Sequence, residues 1–212
     1  MSKQILQRLR RKISIDGISS LPRAFLIKIN KFIYSPAINI EHTNLKLITL
    51  GTPYGGKKFF NFKELKSCTI ISCGLGEDAS FDIEFANKYN ANIVIVDPTP
   101  RAISHYQSIK KRIGQRPERA YAIAGTQPVN AYDLSSIKEH QLSLERYAIW
   151  TEHTKLKFFA PVNPLHVSYS ITNFQNNYQQ DSLFEHIEVK TTTLESLLRQ
   201  YSLNNLPSLN WI

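Results

Sequence analysis

The segment of residues 69–100 constrains the fold more than any other part of the chain. A short apolar run at residues 69–72 is followed by two glycines and then by apolar residues at helical spacing. A second apolar run, residues 92–96, ends in Asp97. A strand, a glycine turn, a helix and a second strand in this order predict a βαβ unit with buried parallel strands. Open α/β sheets of this kind bind ligands beyond the carboxyl ends of their strands.

The two glycines, Gly74 and Gly76, flank Leu75 immediately after the first predicted strand. Residues without a Cβ let the backbone turn sharply and lie close to a ligand. The following residues predict a helix closed by Asn90, with one apolar face and with polar groups near its start that suit capping or the helix dipole. The apolar face consists of Phe81, Phe85, Ala86 and Tyr89, and the polar groups are Asp78, Ser80 and Asp82.

This turn predicts a nucleotide-type cofactor but departs from the dinucleotide fingerprint. That fingerprint, G-x-G-x-x-G, needs a third glycine where this chain has Ala79. The carboxylates of Glu77 and Asp78 would repel a pyrophosphate, whereas they suit a ligand with positive charge. S-adenosylmethionine carries a sulfonium and an ammonium group, and Asp97 at the next strand end can accept two ribose hydroxyls. A βαβ turn without a ligand and a nicotinamide dinucleotide site are the alternatives.

The rest of the chain extends the α/β prediction. Its 212 residues, 42% of them hydrophobic, suit one globular domain. The pattern predicts helices over residues 101–113 and 132–140, a third core strand within residues 142–150 and an extra strand over residues 154–160. Cys68 and Cys73 lie in or beside the first strand. We therefore expect core thiols there, with neither a disulfide framework nor a metal site.

Four segments of the chain match the motifs of one known family. Residues 51–56 are similar to its G-T-x-Y-G-G-W segment, residues 73–82 to its G-x-G-E-D-x-S-F-D turn, and residues 97–100 to its D-P-T-P strand end. The fourth segment follows the family's A-L-W, F-Y-x-P and H-V-S-x-S-I-x-N order and comprises residues 147–150, 156–161 and 166–173. Over about residues 45–212 the chain thus resembles the FkbM-type S-adenosylmethionine-dependent methyltransferases. It departs from them at Lys57, where the family usually has Trp.

The resemblance implies a fold, a cofactor and a reaction. The fold is a Rossmann-like parallel sheet of the class I methyltransferase type over residues 41–212. The reaction is O-methylation of a hydroxyl on a sugar or small metabolite, with S-adenosylmethionine as the methyl donor. In this reading Glu77 or Asp78 meets the cofactor's ammonium, Asp97 holds the ribose diol, and Pro98 and Thr99 border the adenine. The implied cofactor-binding residues are Gly74, Leu75, Gly76, Glu77, Asp97, Pro98 and Thr99.

The end of the chain bears on whether the protein catalyses the reaction or only binds the cofactor. Residues 189–198 resemble the family's V-x-T-x-x-L-D-S-L-L segment, after which the family has an L-K-x-D-x-E-G-A-E motif. The sequence stops at Ile212, where that motif should begin. We therefore expect a sheet that is incomplete at its C-terminal side, and cofactor binding is a firmer prediction than turnover. A truncated, catalytically inactive relative that still binds the cofactor is the alternative.

The methyl acceptor cannot be identified from these residues, and glycan and secondary-metabolite hydroxyls are both open. Residues 163–180 are polar and too long for an ordinary connection, so we expect a functional loop near the acceptor. Its groups that could contact a hydroxylated acceptor are His166, Ser168, Ser170 and Asn173. His166, Ser170 and Asn173 are the candidates for catalysis, although a lone His in a loop is more often a surface hydrogen-bonding group.

Positive charge is concentrated at the N-terminus. Of the net charge of +9, most comes from residues 1–31, which hold eight Lys and Arg side chains and one acid, Asp16. Apolar stripes predict a basic extension of two amphipathic helices over residues 1–40, packed on the domain or on a partner chain. Attachment of residues 1–31 to an anionic membrane surface is the alternative, and nucleic acid is the least favoured partner. With no spanning apolar run and no signal-peptide pattern, the sequence predicts a cytoplasmic protein, with peripheral membrane attachment left open.

Overall fold

The computed structural model describes residues 47–123, 125–161, 166, 168–172 and 185–203. The predicted basic extension of residues 1–40 with its membrane surface, the candidate Asn173, most of the polar loop and residues 204–212 lie outside these residues. The described elements are β1 (Leu47–Leu50), β2 (Lys57–Phe60), β3 (Thr69–Cys73), α1 (Ser80–Tyr89), β4 (Asn92–Val96), α2 (Pro100–Lys110), β5 (Leu142–Glu145), β6 (Ala148–Ile149), β7 (Lys155–Phe159), β8 (His186–Thr192) and α3 (Leu194–Gln200).

A parallel sheet with the order β3-β4-β5 lies at the centre of the described fold. Thr69 of β3 lies opposite Asn92 of β4, and Ile93 of β4 lies opposite Leu142 of β5. The chain crosses from β3 to β4 through α1, which confirms the predicted βαβ unit. The prediction of a mixed α/β fold with a parallel sheet is therefore confirmed, with three strands in that sheet.

Two further sheets, one of two strands and one of three, accompany it. β1 and β2 form an antiparallel hairpin. β8 pairs in parallel with β6 and antiparallel with β7, so the predicted extra strand over residues 154–160 is confirmed as β7. Among the helices in the described ranges, none has the length and apolarity needed to cross a membrane.

Aromatic side chains attach the hairpin to α1. The Phe59 ring of β2 lies 6.0 Å from that of Phe81 and 5.6 Å from that of Phe85, measured between ring centroids. Phe85 and Tyr89 are buried and stack along the helix at a centroid distance of 4.7 Å. The predicted apolar face of α1 is thus confirmed. Asn90 ends the helix with a left-handed φ of 49°, as expected of a closing Asn.

Several local predictions are wrong. The predicted helix over residues 132–140 is irregular, because the Asp133 carboxylate accepts hydrogen bonds from the Ser135 N–H and hydroxyl and so favours a turn over a helix. The predicted third core strand is confirmed as β5, whereas its continuation to residue 150 is wrong, because residues 148–149 form β6 of a different sheet. Helix α2 ends at Lys110 rather than at residue 113, and the turn that follows contains Gly114 with a φ of +87°.

The first core strand is less buried than its apolar run predicted. Residues 69–72 are half-buried, because within the described residues β3 pairs only with β4 and so forms a sheet edge. Cys68 is also half-buried, whereas Cys73 is exposed. The prediction of a core thiol is therefore wrong for Cys73, which ends β3 at the carboxyl edge of the sheet.

Candidate functional site

A cleft of about 1100 Å³ opens at the carboxyl ends of β3 and β4. This is the edge at which open α/β sheets bind ligands, and the volume is sufficient for a cofactor-sized molecule. Residues of β6 and β7 also line the cleft, among them Ile149 and Phe158. All seven residues that the sequence assigned to cofactor binding line it: Gly74, Leu75, Gly76, Glu77, Asp97, Pro98 and Thr99.

The glycine turn is held in shape by one carboxylate. Gly74 and Gly76 have φ values of +84° and +54°, a conformation that favours glycine. The backbone N–H groups of Leu75 and Gly76 both donate to Oδ2 of Asp97, at 2.9 and 3.0 Å. The turn therefore directs its amide groups towards the protein rather than into the cleft.

The other oxygen of Asp97 is also engaged. Its Oδ1 accepts hydrogen bonds from the N–H and the hydroxyl of Thr99, at 2.9 and 2.7 Å, and the residue is only 5% exposed. A carboxylate has about four lone-pair sites, and protein donors occupy that number here. Asp97 thus fixes both the glycine turn and the start of α2, and a ribose hydroxyl would share oxygens that are already hydrogen-bonded.

Glu77 forms a bidentate ion pair with Arg101 in the wall of the cleft. Nε and Nη2 of Arg101 donate to its two oxygens at 3.1 and 2.6 Å, and the Thr126 hydroxyl adds a third bond of 2.6 Å. Partial burial raises the pKa of Glu77, but the hydrogen bonds from Arg101 and Thr126 and the Arg101 charge hold it below its usual range. The Glu77 carboxylate is therefore ionised and already neutralised by a protein cation.

Two of the sequence segments prove to be contact partners. The loop of residues 51–56 lies on the start of α1, where the Thr52 N–H donates to Ser80 Oγ at 2.8 Å and the Thr52 hydroxyl donates to Asp78 Oδ2 at 2.6 Å. Asp78 Oδ1 accepts from the Ser80 N–H at 2.9 Å. A Cβ on Gly55 would lie 2.5 Å from Asp78 Oδ2, so this loop approaches the helix as closely as glycine permits.

A buried tyrosine completes the capping of α1. The Tyr132 hydroxyl accepts a hydrogen bond from the Ala79 N–H at 2.9 Å and lies 2.8 Å from His105 Nε2. Burial lowers the pKa of His105, so the ring is neutral, and its Nε2 shares a hydrogen bond with the Tyr132 hydroxyl. The free N–H groups that a helix start would offer to an anion are therefore bonded to protein atoms at Ala79 and Ser80.

Sequence reasoning missed Asp82 as a residue of the cleft. Asp82 lines the cleft and is only 3% exposed, and its Oδ1 is buried without a hydrogen-bond partner. Burial raises the pKa of Asp82 to about 6, although the Ser72 hydroxyl favours the charged form. The sequence carried a signal for this position, because residue 82 shares a helical face with Ala86 and Tyr89, which are buried.

The acceptor candidates are only partly brought together. His166 and Ser168 are exposed and line the cleft, and the His166 carbonyl accepts a hydrogen bond from Arg101 Nη1 at 3.2 Å. Ser170 does not line the cleft among the described residues; its backbone pairs with Phe159 instead, and its hydroxyl lies 3.0 Å from that of Thr172. His166 thus lines the same cleft as the residues that the sequence assigned to cofactor binding.

No protein-family model, curated protein or solved structure matches the chain. Within the described residues, no group of three or more His, Cys, Asp or Glu side chains could hold a metal ion.

Proposed function

We propose that the cleft binds S-adenosylmethionine and that the protein is a methyltransferase acting on a hydroxyl of a sugar or small metabolite. The observation that carries this proposal is the position of the cleft, at the carboxyl ends of β3 and β4, with the glycine turn and residues 97–99 in its wall. The order β3-β4-β5 is, in this proposal, one side of a Rossmann-like sheet of the class I methyltransferase type.

The hydrogen bonds of the turn favour this cofactor over a nicotinamide dinucleotide. A pyrophosphate binds to free N–H groups at a glycine turn and a helix start. Here the N–H groups of Leu75 and Gly76 donate to Asp97. Those of Ala79 and Ser80 donate to Tyr132 and Asp78. A cofactor without phosphate needs none of these groups.

The residues of the cleft would act mainly by positioning. S-adenosylmethionine supplies an activated methyl group, which an oxygen nucleophile displaces from sulfur in line. Holding the reactants in line can contribute up to about 7–11 kcal/mol to such a reaction. In this proposal the turn lies against the methionine portion, Pro98 and Thr99 border the adenine, and Asp97 shares its oxygens with the ribose. The acceptor enters beside His166 and Ser168.

Parallel calorimetric titrations of the full chain with S-adenosylhomocysteine and with NAD⁺ test the proposal. We expect saturable binding of S-adenosylhomocysteine, at least about 100-fold tighter than that of NAD⁺, which corresponds to about 2.8 kcal/mol. Tighter binding of NAD⁺, or no binding of S-adenosylhomocysteine at millimolar concentration, would contradict it.

A further inference from the structure

We propose that Asp82 binds the α-ammonium group of the cofactor's amino-acid portion, and that Lys57 faces the α-carboxylate of the same portion. This inference rests on the proposed function and deepens it, because it assigns the charged end of the cofactor to one end of the cleft. Both residues line the cleft. They come from different elements, Asp82 from the first turn of α1 and Lys57 from the start of β2.

The two carboxylates that sequence reasoning favoured for the ammonium already accept protein hydrogen bonds at both oxygens. Both oxygens of Glu77 accept from Arg101, and one accepts in addition from Thr126. The two oxygens of Asp78 accept from Ser80 and Thr52. An ammonium that bound to either residue would share oxygens that already accept protein hydrogen bonds, and Glu77 is in addition neutralised by Arg101.

Among the four acids that the described cleft lining contains, Asp82 is the one with an oxygen that accepts no hydrogen bond. Its Oδ1 is buried and has no hydrogen-bond partner, and its side chain lies beside Ser72 at the end of β3, next to the glycine turn. A buried carboxylate without full pairing is costly. A ligand ammonium would relieve this cost, and because the terminal torsion of Asp is broad, either oxygen can turn towards the cleft.

Lys57 supplies the complementary charge. Its side chain is exposed, and it forms no ion pair within the described residues. It lies within electrostatic reach of Asp82. An acid and a base on facing elements match the two charges of an amino-acid zwitterion, whereas a neutral ligand would gain from neither.

The ionisation of Asp82 makes this site dependent on pH. Burial raises its pKa to about 6; the nearby Asp78 carboxylate raises it further, while Lys57 and the Ser72 hydroxyl lower it. Because the ammonium requires the charged form, affinity should be constant between about pH 7 and 8 and should fall by up to about tenfold per pH unit below 6. The raised pKa also means that Asp82 favours the folded state at low pH, and that this contribution is lost as the pH rises through about 6.

The test compares two ligands on the full chain, S-adenosylhomocysteine and 5′-methylthioadenosine, which lacks the amino-acid portion. In Asp82→Asn we expect S-adenosylhomocysteine to bind at least about 10-fold more weakly at pH 7.5, with its pH dependence removed, while binding of 5′-methylthioadenosine is unchanged. Lys57→Ala should weaken only S-adenosylhomocysteine, by about 3-fold to 10-fold. Lys58→Ala, on the same strand but outside the cleft lining, should change neither ligand.

Other outcomes would overturn the inference, and they distinguish a failure of the Asp82 assignment from a failure of the proposed function. Wild-type affinity of Asp82→Asn for S-adenosylhomocysteine, or equal weakening of both ligands, would show that Asp82 does not bind the ammonium. If the wild-type protein binds neither ligand, the proposed function itself fails. Asp82→Asn is nearly isosteric and removes a buried charge, so thermal unfolding at pH 7.5 should find it at least as stable as the wild type.

Discussion

Replacing Asp97 with Ala is expected to lower the free energy of unfolding by about 3–5 kcal/mol and to abolish measurable binding of S-adenosylhomocysteine. The carboxylate accepts from the N–H groups of Leu75, Gly76 and Thr99, and each would lose its partner. Unsatisfied buried groups cost about 1–3 kcal/mol each, with incomplete additivity. Urea unfolding would measure the stability, and calorimetry would measure the binding.

Asp97→Asn separates the two roles of this side chain. Its carbonyl oxygen can still accept from the turn or from Thr99 but not from both, so we expect about half the loss of stability. A stability equal to wild type in Asp97→Ala would mean that these hydrogen bonds do not hold the turn. Full affinity for S-adenosylhomocysteine in Asp97→Ala would remove Asp97 from the cofactor site.

Gly51→Ala is the second change with a large expected effect, a loss of about 3–5 kcal/mol in unfolding free energy. Gly51 has a φ of +87°, and a Cβ there would lie 2.8 Å from the Phe81 nitrogen and 2.9 Å from the Gly56 Cα. Both contacts are with backbone atoms, so relief requires the loop of residues 51–56 to move away from α1. That movement would break the hydrogen bonds of Thr52 to Ser80 and Asp78.

Gly114→Ala is the matched control, because Gly114 has the same φ of +87° but no atom within 4 Å of the added Cβ. Its free energy of unfolding should fall only by the strain of a left-handed alanine, about 1–2 kcal/mol. Chemical denaturation of both variants gives the comparison. Equal losses in the two variants would show that the packing of the loop on α1 contributes little.

Local patterns predicted the parts of the fold that local interactions determine. The residues 92–96 form the predicted strand β4, and Asn90 ends α1 as expected. The failures have a physical cause in contacts distant along the chain. Asp97 and Leu75 are separated by 22 positions, so no local pattern reveals that the acid is bonded to the turn.

The candidate site shows the same division between features that local patterns predict and contacts between residues distant along the chain. The seven residues assigned to cofactor binding line one cleft, because a glycine turn and a strand end meet at one edge of a parallel sheet. The contact between Thr52 and Asp78, 26 positions apart, was not predictable from either segment alone. Tyr132 was placed in a helix, whereas it is 1% exposed and caps α1 through its hydroxyl. For Asp82 the helical spacing to Ala86 was present, but an acid near a helix start was interpreted as a dipole effect.

The structure of the full chain with bound S-adenosylhomocysteine tests the central claim most directly. We expect the ligand to lie in the cleft at the carboxyl ends of β3 and β4, with its adenosine against residues 97–99 and its ammonium within hydrogen-bonding distance of Asp82. A ligand bound elsewhere, or a cleft without ligand at saturating concentration, would contradict the claim that this edge of the sheet is a methyl-donor site.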